Sequence, residues 1–464
     1  MTKLRSYQTD AFKTCVNFFE EKKAKPSVLT LPTAWGKSHL IAAVADHLSQ
    51  QGSRVLSLQP SKELLEQNLG KYQAIADNAK VYSASMKTKE IGDVTFATLG
   101  SIKKMGYEFH RMGFDKLIID ECHLYSRNED GMLNKFVSEA NFKHIIGLTA
   151  TPLKLQSGLT EWPSGETYSK LVMLTSRTKT VNFFKRMLYV SQIRDLVRDG
   201  AWSRIEYETY DFLNDRLHFN TTKSDYTEAS INAVYKEDNL HDKIRFKLEE
   251  IVERKSIVVF VPAVSQAQEL ALSIPNSSCI YSGMPDKERT KIIRDFKSLK
   301  IRVLVNVGIV AIGFDHPRMD AIIMARPTAS LSLYYQVAGR LTRPHPEKED
   351  ALFVDFAGNV SRFGMIEDLF FSEQSGKWEL YGKGGLQLTG IPMHRIGEKF
   401  IHVSGVTEKH SDGILKFGRY KDQHITEVPD SYIVWMITDG FNFGSNTALK
   451  KLVQQEYEKR VVMI

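Results

Sequence analysis

Short apolar runs, each followed by a helical stretch, recur in two rounds along the chain, and this alternation limits the possible folds most strongly. The runs of the first round lie at 27–31, 55–58, 94–97, 117–119 and 145–148. Those of the second round lie at 256–261, 279–281, 303–306, 321–324 and 352–355. Strands that alternate with helices favour parallel sheets with helices on both faces. The sequence therefore predicts an α/β protein with two parallel-sheet domains of similar size.

The length of 464 residues also exceeds what one hydrophobic core usually serves. We predict a first domain over residues 1–200 that includes a connector, and a second domain over residues 201–370. After residue 364 the alternation ends, and the glycine-rich stretch 382–385 is typical of an exposed turn or linker. Residues 371–464 are therefore predicted to form a linker and a small accessory module.

A phosphate-binding loop is predicted at the end of the first apolar run, where Gly36, Lys37 and Ser38 lead into a helix. Backbone N–H groups of such a loop point at phosphate, and the helix N-terminus adds its dipole. Lys37 would reach the β- and γ-phosphates, and Ser38 would bind Mg²⁺. The loop departs from the usual pattern, because Leu31 and Ala34 stand where glycines are common. Taken alone, a Gly-Lys-Ser triplet also arises by chance.

Two adjacent carboxylates, Asp120 and Glu121, directly follow the apolar run 117–119. Carboxylates at the end of a buried parallel strand lie at the carboxyl edge of the sheet, where ligands bind in α/β folds. Asp120 would hold Mg²⁺, and Glu121 would deprotonate an attacking water. The alternative is a solvated acidic turn.

A third set lies far along the chain, where Gln336, Arg340 and Arg343 recur at helical spacing. Guanidinium groups supplied by a second domain stabilise the charge of a transferring γ-phosphoryl group. Arginines on an exposed helix are more commonly solvated, so the pair gains meaning only with the upstream motifs. Together the predicted catalytic residues are Lys37, Asp120, Glu121, Gln336, Arg340 and Arg343.

In this order, the motifs resemble those of superfamily 2 helicases. The likeness runs from Leu4 to about Gly364 and includes a DEAH-like box at 120–123 with Cys122 in place of alanine. It implies two RecA-like domains that bind ATP with Mg²⁺ between them and nucleic acid across their top. The nucleotide-binding residues that the motifs and the resemblance together imply are Arg5, Gln8, Thr33, Ala34, Trp35, Gly36, Lys37, Ser38, Gly313, Asp315, Arg340 and Arg343. Ser38 and Asp120 would hold the metal.

Within the superfamily, the sequence is most similar to phage-type helicases of the UvsW kind, which remodel branched DNA. This likeness implies a DNA partner that is branched or has a single-stranded arm. The tail, through 417–421 and 428–435, resembles a small module of exonuclease-type DNA enzymes. The implied DNA-binding residues are Pro60, Ser61, Lys62, Thr98, Ser101, Val261, Ser282, Asn306, Arg419 and Lys421.

Composition agrees with these expectations without deciding them. A net charge of +7 suits a polyanionic partner, although many proteins of this size carry a similar surplus. The three cysteines are widely spaced, so neither a disulfide framework nor a zinc site is indicated. No apolar run approaches the ~20 residues that span a bilayer. We expect a monomer in the cytoplasm, the host's if the gene is phage-encoded, with no membrane contact. An RNA helicase, a translocase on duplex DNA and an ATP-gated DNA clamp remain alternatives.

Overall fold

The computed structural model describes residues 4–125, 131–161, 166–175, 182–210, 214–308, 314, 316–374, 376–393, 396, 415, 423–429, 432–433, 436–437, 449 and 452–457. The chain divides into two compact units, residues 1–398 and 399–464. In the described part, no helix combines the length and apolarity needed to cross a membrane.

The helices follow the predicted alternation with the strands. They are α1 (Ser6–Glu20), α2 (Lys37–Gln50), α3 (Lys62–Gln73), α4 (Leu99–Ile102), α5 (Gly106–Arg111), α6 (Met132–Ala140), α7 (Ile193–Arg198), α8 (Glu228–Glu237), α9 (Leu240–Glu250), α10 (Val264–Ser273), α11 (Asp286–Lys297), α12 (Leu331–Ala338) and α13 (Asn359–Phe363).

The strands form two larger sheets and two hairpins. They are β1 (Ser27–Thr30), β2 (Arg54–Gln59), β3 (Ala79–Ser83), β4 (Thr88–Lys89), β5 (Val94–Thr98), β6 (Phe114–Asp120), β7 (His144–Thr149), β8 (Leu153–Glu161), β9 (Glu166–Met173), β10 (Arg186–Val190), β11 (Ile205–Thr209), β12 (Ile257–Phe260), β13 (Ser277–Tyr281), β14 (Val303–Val307), β15 (Ala321–Met324), β16 (Ala351–Asp355), β17 (Phe370–Gln374) and β18 (Lys377–Tyr381).

The first sheet has the strand order β10-β1-β7-β6-β2-β5-β3-β4 and is parallel except for the short edge strand β4. Its central strands are buried along almost their whole length, as expected of a parallel sheet covered on both faces. On one face, side chains such as Leu117, Ile119 and Phe136 form a continuous apolar core. The carboxyl ends of β1, β6 and β7 therefore meet at one edge.

The second sheet has the order β11-β16-β15-β12-β14-β13 and is parallel throughout. Val259, Val305 and Ile323 of adjacent strands lie in its apolar core. All ten apolar runs named from the sequence lie in strands of these two sheets. The predicted fold class is confirmed, with two tandem parallel-sheet domains of the RecA-like type.

The stretch between the two sheets holds more regular structure than the sequence indicated. β8 and β9 form a long antiparallel hairpin directly after β7, and β10 then pairs in parallel with β1 at the edge of the first sheet. A second antiparallel hairpin, β17 with β18, follows the second sheet. The boundaries predicted at residues 200 and 370 stay predictions.

The unit of residues 399–464 has an apolar cluster of its own. Its buried members are Leu415, Ile425, Val428, Ile433, Met436, Leu449 and Val453. A separate core of this kind agrees with a small module that packs by itself.

Candidate functional site

The loop between β1 and α2 adopts the left-handed backbone that a tight phosphate-binding turn needs. Gly36 has a φ of 92° and precedes the first residue of α2, and Ala34 has a φ of 62°. A β-carbon on Gly36 would lie 2.4 Å from Gln8 Nε2, so any larger residue would collide there. The φ therefore favours glycine at this position, and a larger residue would also displace the Gln8 side-chain amide.

Trp35 anchors the loop to the protein interior, because its side chain is fully buried. Its indole Nε1 donates to Ser191 Oγ at 3.0 Å, and its carbonyl accepts from Gln8 Nε2 at 3.0 Å. The side-chain amide oxygen Oε1 of Gln8 in turn accepts from the Arg5 backbone N–H at 2.9 Å. The loop is thus joined to the N-terminal segment that the resemblance assigns to the adenine base.

Lys37 Nζ forms a hydrogen-bonded ion pair with Glu121 Oε1 across the cleft. Glu121 lies just past the end of β6 with a φ of 44°, and its other oxygen is 3.4 Å from His123 Nδ1. Burial acts to raise the pKa of Glu121. Lys37, His123 and Arg340 outweigh that effect and hold the pKa below its usual value. Glu121 is therefore an ionised carboxylate, as a general base requires.

Asp120 is almost fully buried at the end of β6. One carboxylate oxygen accepts from Asn68 Nδ2 at 2.8 Å, and the other accepts from the Glu121 backbone N–H at 2.9 Å. Burial, followed by the charge of Glu121, raises the pKa of Asp120 to about 6. Ser38 Oγ accepts from Gln67 Nε2 at 3.0 Å. A carboxylate and a hydroxyl are hard oxygen donors of the kind that Mg²⁺ takes beside phosphate, so Asp120 and Ser38 suit that ion.

The second domain contributes two arginines that share one backbone acceptor. Arg340 Nη1 and Arg343 Nη1 donate to the carbonyl of Phe314 at 2.8 and 3.0 Å. Gly339 packs directly on the phosphate-binding loop, since a β-carbon placed on it would lie 1.9 Å from Thr33 Oγ1. The two domains are therefore in direct contact at the site.

These residues line one cleft with a cavity volume of about 320 Å³. Its walls include the following predicted residues: Arg5, Gln8, Thr33, Ala34, Trp35, Gly36, Lys37, Ser38, Asp120, Glu121, Arg340 and Arg343. Gln336 is absent from the walls and lies instead with its Nε2 3.3 Å from His123 Nε2. Gly313 and Asp315 fall outside the described residues.

The predicted DNA-binding residues sit at strand ends and in adjoining turns. Pro60 and Ser61 follow β2, and the Ser61 hydroxyl accepts from the Leu64 backbone N–H at 3.3 Å, where it caps α3. Lys62 Nζ lies 3.7 Å from Glu66 Oε1. The Lys62 side chain is exposed at the start of α3. Pro60, Ser61 and Lys62 therefore lie at the same carboxyl edge of the first sheet as the residues that line the cleft.

The rest of the set differs in exposure. Thr98, at the end of β5, shares a hydroxyl contact of 2.9 Å with Ser101. Val261 and Asn306 are buried, whereas Ser282 is exposed. Only the backbone of Val261 or a rearranged Asn306 could therefore meet DNA. Arg419 and Lys421 lie outside the described residues.

Several residues of the site were missed from the sequence. Gln67 and Asn68 on α3 contact Ser38 and Asp120, and the carbonyl of Phe314 orients both arginines. A buried amide on an otherwise amphipathic helix was the available signal for Asn68. The acceptor at Phe314 is its backbone carbonyl, which every residue has, so the sequence could not identify it.

The N-terminal part matches a protein-family model over residues 1–154, described as "Type III restriction enzyme, res subunit". Residues 238–345 match a second model, "Helicase conserved C-terminal domain". The two matched segments fall on the first and the second sheet domain, which together line the cleft. The two matches and the cleft between them support an ATP-hydrolysing helicase. Residues 411–458 match a third model, "Putative quorum-sensing-regulated virulence factor".

Individual relatives are similar to this chain at moderate identity. The Saccharomyces cerevisiae protein named "Putative ATP-dependent helicase IRC3" is 26% identical over 383 residues, which cover 78% of this chain and 52% of the relative. A Lactococcus phage protein named "51.5 kDa protein" is 23% identical and is covered over 70% of its length, against 77% of this chain. The chain thus spans about half the length of the yeast relative.

A solved structure agrees with the fold. The chain of the "ATP-dependent Type ISP restriction-modification enzyme LlaBIII bound to DNA" superposes with a TM-score of 0.56 at 16% identity. The match covers 77% of this chain and 28% of the restriction enzyme. At this identity the comparison establishes the shared architecture.

Proposed function

We propose that the protein is an ATP-driven DNA motor that unwinds or branch-migrates branched DNA, such as forks and junctions. The observation that carries this proposal is the composite cleft, in which Lys37 and Glu121 of the first domain face Arg340 and Arg343 of the second. A site assembled from two domains couples nucleotide hydrolysis to their relative movement. Sequential closing and opening would then shift the grip on one DNA strand.

The chemistry follows from the named side chains. Lys37 would leave Glu121 for the β- and γ-phosphates when ATP binds, which frees the Glu121 carboxylate to accept a proton from water. Arg340 and Arg343 would then stabilise negative charge that develops on the γ-phosphoryl group. Asp120 and Ser38 would hold Mg²⁺, which supplies charge neutralisation at the phosphates when it is bound.

The adenine base would lie against the N-terminal segment of the first domain. The Gln8 side chain is fixed between the Arg5 backbone N–H and the Trp35 carbonyl, so its orientation is set before any nucleotide enters. Arg5 is joined to this group through its Nη1, which donates to Tyr7 Oη at 3.1 Å. We also assign Gly313 and Asp315 to nucleotide binding, on the resemblance of the motif alone.

DNA would cross the carboxyl edges of both sheets and be held mainly through its phosphates, so base sequence should matter little. The proposed contacts are Pro60, Ser61, Lys62, Thr98, Ser101, Val261, Ser282, Asn306, Arg419 and Lys421. The name of the yeast relative supports helicase action, and the DNA-bound state of the restriction enzyme supports DNA as the partner. The relative from a Lactococcus phage supports a phage-type role. We further propose that the protein acts as a monomer in the host cytoplasm.

The deciding experiment compares substrates in one ATPase and unwinding assay. We expect forked and Holliday-type DNA to stimulate ATP turnover most and to be unwound. Stimulation by RNA alone would favour an RNA helicase, and stimulation by blunt duplex without strand separation would favour a translocase. DNA binding that needs ATP but never accelerates its hydrolysis would identify a clamp.

The unit of residues 399–464 would serve substrate choice rather than chemistry, because all the cleft residues named above precede it. Its own apolar cluster supports an independent module. Deletion of residues 413–464 should leave basal ATPase intact and weaken binding to forked DNA. The intact protein should lose affinity more steeply with salt, because it makes more phosphate contacts. Equal affinities and equal salt slopes would reduce the unit to a packing element.

A further inference from the structure

Lys348 is a buried lysine that lies beside the arginines of the second domain without lining the cleft. Lys348 is only 9% exposed to solvent. The ammonium donates to the carbonyl of Leu341 at 2.8 Å and to the carbonyl of Met319 at 3.3 Å. It therefore ties together two backbone segments rather than forming an ion pair.

Both of these segments bear on the arginines. Leu341 lies between Arg340 and Arg343 in the chain, so its carbonyl belongs to the turn that presents both guanidinium groups. Met319 follows Phe314 by five residues in the chain, and the Phe314 carbonyl accepts hydrogen bonds from Arg340 and Arg343. One ammonium thus joins the backbone that carries the arginines to the segment that orients them.

The position is electrostatically unfavourable for a lysine. Burial, together with the positive charge of Arg343, lowers the pKa of Lys348 to about 8, and Asp320 opposes this only in part. Both Asp320 carboxylate oxygens already accept from the backbone N–H groups of Lys255 and Ser256. A cation placed beside another cation in the protein interior costs stability. The hydrogen bonds from Lys348 to the two backbone carbonyls partly offset that cost.

We propose that Lys348 is a positioning residue that holds Arg340 and Arg343 in the orientation needed for hydrolysis. The inference rests on the proposed ATPase activity. Lys348 acts through the backbone carbonyls of Leu341 and Met319, so it contributes to kcat without contacting nucleotide. Misplacement of a catalytic group by about 1 Å can cost up to about a hundredfold in rate.

The test compares Lys348→Met with Lys291→Met in the full-length protein. Methionine keeps an unbranched stem but donates no hydrogen bond, and Lys291 is an exposed lysine of α11 that serves as the matched control. We expect Lys348→Met to lower DNA-stimulated kcat about ten- to a hundredfold, with KM for ATP and the affinity for ADP within about twofold of wild type. Lys291→Met should match wild type in all three.

The decisive readout is a double-mutant cycle with Arg343→Ala. If Lys348 acts through the arginines, its substitution should cost kcat far less once Arg343 is absent. Lys348→Arg, which keeps donors in a longer side chain, should retain more activity than Lys348→Met. If Lys348→Met does not fold, the double-mutant cycle with Arg343→Ala can be measured with Lys348→Arg instead.

The outcomes separate the inference from the function on which it rests. Wild-type protein without DNA-stimulated ATPase would overturn the proposed function. Active wild type with an equally active, folded Lys348→Met variant would overturn only the role of Lys348. Equal losses in the presence and absence of Arg343 would also contradict it, because they would indicate a general effect on the fold.

Discussion

Gln336 Nε2 of the second domain lies 3.3 Å from His123 Nε2 of the first, and the opposite ring nitrogen of His123 lies 2.7 Å from Thr149 Oγ1. The same Nδ1 also lies 3.4 Å from Glu121 Oε2. One ring nitrogen of His123 therefore faces the first domain and the other faces the second. The Thr149 hydroxyl oxygen also accepts from the Thr151 backbone N–H at 3.0 Å. One histidine thus connects α12 to the segment after β7.

We expect His123→Ala to uncouple the two domains more than it impairs chemistry. Basal ATP turnover should fall less than the stimulation by forked DNA, because the alanine removes the contact with Gln336 but leaves Lys37 and Glu121 in place. The measurement is the ratio of turnover with and without DNA. Gln336→Ala should add little to His123→Ala, since both remove one contact. His241→Ala, a partly exposed histidine of α9, is the control. Fully additive losses would show that the two residues act separately.

Gly339→Ala should impair hydrolysis by disturbing the contact between the domains. The new β-carbon would lie 1.9 Å from Thr33 Oγ1 and 2.9 Å from the Tyr335 carbonyl, so the loop or α12 must shift. We expect kcat to fall by about tenfold or more, with nucleotide affinity much less affected. Gly70→Ala in α3 is the matched control, because nothing lies within 4 Å of its β-carbon. That substitution should be neutral or stabilising by up to about 1 kcal/mol. A Gly339→Ala variant with wild-type kcat would mean that the close contact is unnecessary for turnover.

Glu121→Gln should separate binding from hydrolysis. The amide keeps the shape of the side chain, but it cannot accept a proton from water, and its pairing with Lys37 loses a charge. We expect ATP binding to persist, turnover to fall by at least about a hundredfold, and a long-lived complex with ATP and DNA to accumulate. Nucleotide binding and steady-state turnover measured on one preparation check this. Turnover within a few-fold of wild type would exclude Glu121 as the base.

The sequence was sufficient to predict the sheets and to name most of the side chains that line the cleft, for different physical reasons. Runs such as 117–119 are strands because a strand buried on both faces must be apolar, and Asp120 and Glu121 are exceptional because they end such a run. The role of Asn68 depends on α3 packing across β6, which local sequence does not encode. The edge position of β10 likewise arises from a pairing with β1 some 159 residues away. Half-buried residues at 186–190 gave no strong strand pattern.

Lys348 should give the protein a distinct pH dependence of stability. Its pKa of about 8 in the folded chain is below the value of ~10.4 expected in the unfolded chain, so the unfolded state binds more protons between those values. Stability should therefore rise with pH as the lysine loses its charge in the fold. Between pH 7 and 9.5, the free energy of unfolding of wild type should gain roughly 2 kcal/mol relative to Lys348→Met. Parallel denaturant titrations across that range measure this difference. A constant difference would indicate that Lys348 titrates normally.

The central claim, that two domains complete one ATP site, is tested most directly by DNA-stimulated ATP turnover and nucleotide affinity measured together for wild type and Arg343→Ala. Arginines supplied in this way are worth about 10³- to 10⁵-fold in related chemistry. We predict that Arg343→Ala binds ADP as tightly as wild type and loses at least about a hundredfold in stimulated turnover. Stimulated turnover at the wild-type rate in that variant would contradict a site shared between the domains.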